Sequence, residues 1–163
     1  MVLLGAIAEA RHSVRIVTPY FLPDVTLMEA IRVAILRGVQ VELVLPARGN
    51  LRLVDWAMAA QLPRLVAWGC HVYRSPPPFD HTKLVVVDGE WSLVGSANWD
   101  ARSLRLNFEY NVECYSVRFA EQLSAIIDGR IAISRAVTTE ELKQRSTLLR
   151  VRDGIALMAQ PYL

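Results

Sequence analysis

The chain has 163 residues, 53% of them apolar, and a formal net charge of +2. This length supports one domain with a sizeable core, and the charge is too small to indicate a protein coated with nucleic acid. No apolar run approaches the roughly 20 residues needed to cross a bilayer, and no secretory-signal pattern is visible. Cys70 and Cys114 have no cysteine close by in sequence, which predicts buried thiols in strands.

The first half of the chain predicts alternating helices and strands. In order, the pattern predicts a helix over 1–11, a strand over 13–18, a loop over 20–23, a helix over 25–37, a strand over 39–45, a helix over 51–68 interrupted near Pro63, and a strand over 70–74. Asp24 is placed to cap the second helix, and Gly38 to end it. The first helix has no cap before it, which suggests that the chain is cut from a longer protein.

The second half adds a hairpin, a strand and helices. It predicts strands over 82–87 and 91–94, a strand over 108–116, a helix over 118–134 and a helical tail over 138–163. In the strand over 108–116, alternation places an apolar row from Phe108 to Cys114 on one face and Glu109 on the other. The alternation predicts an α/β fold with a mixed, mostly parallel sheet covered by helices on both faces, as a single domain over 1–163.

Polar side chains gather at one end of the predicted hairpin. Asp88-Gly89 is a tight-turn signal, and closing that turn lays the two strands side by side. His81 and Lys83 then lie at the same sheet edge as Ser96 and Asn98. An imidazole, an ammonium, a hydroxyl and a carboxamide together supply one nucleophile or acid and three donors suited to phosphate oxygens.

The interval from His81 to Asn98 reads His-x-Lys-x4-Asp-x6-Gly-Ser-x-Asn and resembles the signature of the phospholipase D superfamily. The surrounding sequence, at 18–24 and 102–109, is similar to the cardiolipin synthase branch, in its C-terminal catalytic half. The resemblance covers nearly the whole chain. It implies a phospholipase D-like half-module that transfers phosphodiesters.

Phosphodiester exchange at an imidazole needs a group on each side of phosphorus. One group attacks, and the other protonates the departing alkoxide, which is worth about 10² to 10⁴ in rate. His12 and His71 lack a lysine two residues later and are expected to be surface or core residues. The second catalytic histidine therefore has to come from another copy of the chain or from a missing N-terminal half. The resemblance implies the same, because active members join two such motifs.

The resemblance also implies roles for individual residues. His81 becomes the nucleophile or the general acid, and these two roles stay open. Lys83 and Asn98 hold the non-bridging phosphate oxygens, and Ser96 hydrogen-bonds within the same cradle. Glu109 is implied to fix the ring orientation of His81, with a solvated strand carboxylate as the alternative.

Other residues of the motif and its surroundings receive weaker predictions. Asp88 lies about 20 Å from His81 along a six-residue strand, so we predict a structural role on backbone amides or an arginine. Gly95 is likewise a structural member of the motif. Tyr20 and Phe21 follow a strand end that faces the ligand crevice in open α/β sheets, and they either line the substrate entry or pack. No metal-ligand spacing is present, and we expect no metal or other cofactor.

Three classes of function follow. The first is a phosphatidyl transferase of the cardiolipin synthase type, in which a phosphohistidine forms and a second phosphatidylglycerol accepts; with water as acceptor it is a phospholipase. The second is a homodimeric phosphodiesterase or nuclease, which the near-neutral charge disfavours because nucleic acid calls for a basic stripe. The third is an isolated half-domain without activity.

The C-terminal helix bears on membranes. Its apolar residues, flanked by Arg145, Arg150 and Arg152, suit either a lipid interface or packing against the core or the absent half, and packing is favoured. The resemblance implies that the full-length protein works at the cytoplasmic face of a membrane, whereas this chain shows no transmembrane segment.

Overall fold

A computed structural model describes residues 2–162. The helices are α1 (Val2–Glu9), α2 (Val25–Leu36), α3 (Arg52–Trp68), α4 (Ala101–Arg105), α5 (Val117–Ile133), α6 (Thr139–Gln144) and α7 (Thr147–Met158), followed by a 3₁₀ turn over Gln160–Tyr162. The strands are β1 (Ser13–Val17), β2 (Phe21–Leu22), β3 (Gln40–Pro46), β4 (His71–Ser75), β5 (Leu84–Val87), β6 (Trp91–Gly95), β7 (Trp99–Asp100), β8 (Asn111–Tyr115) and β9 (Arg135–Ala136).

The main sheet is mixed, with the strand order β8-β6-β5-β1-β3-β4-β9. Its centre is parallel, because β3 runs parallel to both β1 and β4. The hairpin strands β5 and β6, and β8 beyond them, add to β1 in antiparallel fashion, and β9 closes the other edge. The α/β fold with a mixed sheet is therefore confirmed.

Helices cover both faces of this sheet, as the alternation predicted. The larger core lies between the sheet and the layer formed by α1, α2, α3 and α7, and the smaller one lies under α5. The four residues of β5 alternate between these cores and are all buried. Such a strand, covered on both faces, reads as a continuous apolar run. Within the described residues, none of the helices is both long and apolar enough to cross a membrane.

Local signals account for most element boundaries. The Asp24 carboxylate accepts a hydrogen bond from the Leu27 amide at 3.0 Å and caps α2, as predicted. The helix predicted to be broken or kinked near Pro63 is not broken there, since α3 is continuous from Arg52 to Trp68. Cys70 lies one residue before β4, and burial raises the pKa of its thiol to about 12. Cys114 is half-buried in β8.

Two parts of the fold differ from the sequence prediction. The predicted loop after β1 contains β2, which pairs in parallel with β7 through Phe21↔Trp99 and Leu22↔Asp100. The strand predicted over 108–116 is shorter, and its apolar row is not covered by the described residues. Phe108 is fully exposed, and Tyr110 is 78% exposed.

Candidate active site

The β5–β6 hairpin brings the two halves of the motif to one edge of the sheet. Val87 pairs with Trp91 and Leu84 with Val94, and beyond that pair the Gly95 amide donates to the Lys83 carbonyl at 3.3 Å. The residues before β5 and those after β6 are thereby adjacent, as the tight turn predicted.

His81 and Lys83 are in direct contact at this edge. The Lys83 ammonium donates to His81 Nδ1 at 2.8 Å and to the His81 carbonyl at 2.7 Å. Lys83 is only 8% exposed, whereas the His81 side chain is open to solvent. The His81 ring meets Tyr20 edge-on at 5.8 Å between ring centroids and Phe79 at 5.6 Å. Because Nδ1 is engaged by Lys83, Nε2 is the ring nitrogen left for a substrate.

The electrostatics favour a neutral imidazole at this position. Burial lowers the pKa of His81, and the charge of Lys83 lowers it further. Burial also lowers the pKa of Lys83, although the Glu109 and Asp100 carboxylates act in the opposite direction. In the neutral ring, Nδ1 accepts from the ammonium and Nε2 carries the hydrogen, so Nε2 can donate to a phosphate oxygen, whereas attack on phosphorus requires the other tautomer. The ammonium can neutralise a phosphate oxygen.

Asn98 is positioned by the start of α4. The Asp100 carboxylate accepts from the Ser103 amide at 2.6 Å and from its hydroxyl at 3.2 Å, and Asn98 Nδ2 donates to the Ser103 hydroxyl at 3.2 Å. The Trp99 amide donates to the Tyr20 carbonyl at 3.1 Å, so Asn98 lies alongside Tyr20, which touches the His81 ring. One amide hydrogen of Asn98 stays available to a ligand.

Ser96 and Glu109 form a pair of their own. The Ser96 hydroxyl donates to the Glu109 carboxylate and accepts from the Tyr110 amide at 2.9 Å, while Asn107 Nδ2 donates to Glu109 at 3.3 Å. The contact expected between Glu109 and the His81 ring is replaced in this structure, because Lys83 takes the Nδ1 position. The negative charge of Glu109 raises the pKa of Lys83, and the Glu109 carboxylate accepts a hydrogen bond from Ser96.

Gly95 lies too close to the backbone of residues 110 and 111 for any side chain. A Cβ atom at this position would lie 2.7 Å from Asn111 Cα and would also collide with the Tyr110 carbonyl. The close approach of β6 and β8 therefore requires glycine where the chain turns toward Ser96.

Asp88 lies at the other end of the hairpin. Its carboxylate accepts from the backbone amides of Arg11, His12 and Ser13, each at 2.8 Å. Burial alone would raise the pKa of Asp88, but these three hydrogen bonds hold it below its ordinary value. Asp88 and Gly89 have φ of 53° and 68°, as a tight I′-type hairpin turn requires.

Comparison with known proteins gives the family. The family model described as "Cardiolipin synthase, PLD-like domain" matches residues 3–131. The chain belongs to this family of PLD-like domains. It is 37% identical over 157 residues to the major cardiolipin synthase ClsA of Bacillus subtilis (strain 168), and 38% identical over 158 residues to cardiolipin synthase A of Pseudomonas fluorescens (strain SBW25). These matches cover 96% and 97% of this chain but 33% of each relative, so the chain spans about a third of their length.

Solved structures agree with the PLD-like fold. The phospholipase D family member Nuc from Salmonella typhimurium superposes with a TM-score of 0.72 at 25% identity, covering 83% of this chain and 88% of that one. Phosphatidylserine synthase from Haemophilus influenzae Rd KW20 superposes with a TM-score of 0.77 at 18% identity, covering 99% of this chain and 44% of that one.

The sequence of this PLD-like domain did not predict the contacts of Arg130 with Asp80 and Thr82, which we call the Arg130 clamp. Arg130 on α5 forms an ion pair with Asp80 and donates to the Thr82 hydroxyl at 3.1 Å. Asp80 in turn accepts from the Thr82 amide at 2.9 Å and from its hydroxyl at 2.7 Å. The neighbours of His81 on both sides are thereby tied to α5. The acidic residue directly before the histidine was the available signal, whereas nothing in the sequence pointed to its arginine partner.

The two aromatic residues predicted near the substrate entry, Tyr20 and Phe21, lie in different environments. Tyr20 borders His81, and its hydroxyl donates to Asn50. Phe21 is 1% exposed and stacks on Trp99 at 5.7 Å, so it packs in the core and does not line a substrate entry.

Proposed function

We propose that this chain is one catalytic half of a phosphatidyl transferase of the cardiolipin synthase type. The observation that carries the proposal is the contact between Lys83 and a solvent-open His81, with Asn98 at the same sheet edge. Its cardiolipin synthase relatives supply the substrate class, with phosphatidylglycerol as both donor and acceptor.

The proposed reaction has two displacements at phosphorus. In the first, one imidazole nitrogen forms a bond to phosphorus while the bond to the glycerol oxygen breaks, and the departing oxygen takes a proton from a second imidazole. In the second, the hydroxyl of an acceptor lipid bonds to phosphorus, the phosphorus–nitrogen bond breaks, and the hydroxyl proton returns to the second imidazole. His81 supplies one of the two imidazoles.

Lys83 and Asn98 stabilise the charge that develops on the non-bridging oxygens. A buried ammonium in a site of low dielectric interacts strongly with a phosphate oxygen. Ser96 and Glu109 position this cradle from the β8 side. The second imidazole comes from a second His-Lys-Asp motif, in a homodimer mate or in a further half of the protein.

The exposed side of β8 is the proposed contact surface for that second motif. It lies at the edge of the sheet, directly beside Ser96 and Glu109. The exposed apolar residues of this region are Val112 and Tyr115 on β8 and Leu106, Phe108 and Tyr110 in the segment before it. Such a patch marks an interaction site.

A second candidate is a homodimeric phosphodiesterase that cleaves soluble phosphodiesters or nucleic acid. The observation in its favour is that this chain covers 88% of Nuc from Salmonella typhimurium, a chain of similar extent. Phospholipase activity, with water as the acceptor, is a third outcome of the same chemistry.

A parallel assay separates these functions. The chain is incubated with a soluble phosphodiester, phosphatidylglycerol vesicles and DNA, alone and with a second polypeptide that carries another His-Lys-Asp motif. We expect transfer between phosphatidylglycerol molecules once the second motif is present. Cleavage of DNA by the chain alone would replace the proposal with the second candidate, and no turnover in any combination would remove the enzymatic account.

Membrane contact is proposed through the outer face of α7. Asp153 and Ala156 on this helix are buried, whereas its outward apolar residues are open to solvent. Those residues are Leu148, Val151, Ile155 and Met158. Packing within the described chain does not cover them. Removal of residues 146–163 is expected to weaken binding to phosphatidylglycerol vesicles, and unchanged binding would discard the idea.

A further inference from the structure

A cavity of about 240 Å³ lies beside the proposed phosphate cradle. Its polar lining residues include Tyr20, Asn98, Arg102 and Asn107. Tyr20 links it to the reacting ring, because the Tyr20 and His81 rings are 5.8 Å apart. Tyr20 therefore borders both the cavity and the His81 ring.

The cation at the rim of this cavity is available to a ligand. Arg102 is exposed, and within residues 2–162 no carboxylate forms an ion pair with its guanidinium. Arg105, one turn further along α4, is paired with Asp24. Of these two arginines, Arg102 is the one that lines the cavity.

The backbone that carries Arg102 is fixed from both sides. Asp100 caps α4 through the Ser103 amide, and the Arg102 carbonyl accepts from the amides of Leu106 and Asn107, both at 2.9 Å. Its guanidinium therefore extends from a defined point at the cavity rim. A guanidinium presents a planar fork of donors that fits two phosphate oxygens at once.

The cavity has a polar part and an apolar part. Asp100, Ser103 and Asn107 supply oxygen and amide atoms, with the Asp100 carboxylate already engaged by Ser103. The apolar part consists of Leu22, Leu51 and Val54. At about 240 Å³, the cavity has room for a three-carbon polyol. A ligand that places hydroxyl groups in the cavity and an anionic group at Arg102 matches a glycerol that carries a phosphate.

We propose that this cavity binds the glycerol head group of the acceptor lipid and that Arg102 binds that lipid's own phosphate. The inference rests on the proposed transferase function. It places the acceptor beside the cradle, where its oxygen bonds to phosphorus as the phosphorus–nitrogen bond breaks and its hydroxyl proton passes to the imidazole that is not bonded to phosphorus. Arg102 is then a binding residue that selects an anionic acceptor over water or a neutral alcohol.

A binding experiment tests the site without turnover. The chain is titrated with sn-glycerol 3-phosphate while the side-chain amide resonance of Asn107 is followed by NMR. We expect a saturable shift whose dissociation constant rises at least tenfold in Arg102→Gln and stays unchanged in Arg105→Gln. The shift persists in Lys83→Met, because the ligand occupies the Arg102 site and not the cradle. An absent shift in the native chain, or equal binding by Arg102→Gln, would overturn the proposal.

A kinetic experiment tests the selection of acceptor in the active assembly. Arg102→Gln is expected to raise the KM for acceptor phosphatidylglycerol at least tenfold, with transfer to uncharged glycerol and hydrolysis of the donor unchanged. An equal loss with both acceptors would contradict the assignment. If the native assembly transfers to no acceptor, the proposed function fails, and the binding experiment still decides the role of Arg102.

Discussion

The two ends of the β5–β6 hairpin carry residues of one motif but differ in what their polar groups meet. At the turn, the Asp88 carboxylate is satisfied by three backbone amides. At the opposite end, His81 is open to solvent, and its partner Lys83 is a buried ammonium without an ion pair among residues 2–162. A satisfied charge stabilises the fold, whereas an unsatisfied one is available for chemistry.

Replacing the reacting ring should give the largest effect on activity. His81→Ala is expected to lower turnover in the active assembly by about 10² to 10⁴, because a nucleophile or general acid is lost. The unfolding midpoint stays unchanged, since the side chain is exposed. His71→Ala, which changes another exposed histidine, is the matched control and keeps full activity. Turnover near the native value in His81→Ala would remove this ring from the mechanism.

The opposite pattern is expected at the turn. Asp88→Ala should lower the free energy of unfolding by about 2–3 kcal/mol, because three amides lose a charged acceptor. Activity per folded molecule stays unchanged, and Glu90→Gln in the same turn changes neither quantity. Urea unfolding with a parallel activity assay measures both. A loss of turnover without a loss of stability would place Asp88 in the chemistry.

The acid dependence of stability follows from the same carboxylate. The pKa of Asp88 is lower in the folded than in the unfolded chain, so its contribution is complete above the unfolded pKa of about 4. It is lost as the pH falls through the folded pKa. Asp88→Asn should remove this part of the acid dependence. An unchanged profile of unfolding free energy against pH would contradict the assignment.

Weakening the contacts of Arg130 with the segment around His81 should have a smaller effect on activity. Arg130→Gln removes the ion pair to Asp80 and is expected to lower kcat about tenfold with little change in KM, since misplacement of a catalytic group costs rate. Arg118→Gln, an exposed change on the same helix, is the control. A rise in KM at unchanged kcat would assign Arg130 to substrate binding, and native kinetics would dismiss the clamp.

The smallest expected change is a titration shift. Lys83→Met removes the positive charge beside the ring, so the pKa of His81 rises toward its ordinary value. NMR titration of the ring protons measures it, with His71 as the internal reference. A pKa that falls or stays constant would show that the ammonium does not act on the ring.

Short-range patterns were sufficient for the hairpin and the α2 cap. Asp88-Gly89 determines the turn, and the turn determines the register that brings His81 and Lys83 next to the end of β6. Arg130 lies 48 residues from Thr82, and no local pattern encodes that contact. The same limit applies to Ser103, whose contact with Asn98 depends on the start of α4.

The apolar row at Phe108 and Tyr110 shows another limit. Alternation predicts which residues share a face of a strand, but it does not predict what covers that face. The described residues leave Phe108 and Tyr110 exposed. An exposed apolar edge beside the candidate site agrees with the proposal that a second motif contacts this surface.

Dependence of activity on assembly tests most directly the claim that the chain supplies half of a site. Turnover of phosphatidylglycerol is measured across a concentration series of the chain, with and without a second motif-bearing polypeptide, while light scattering reports the assembled fraction. The account predicts turnover in proportion to the assembled fraction and none from the monomer. Full turnover by a monomeric chain would contradict it.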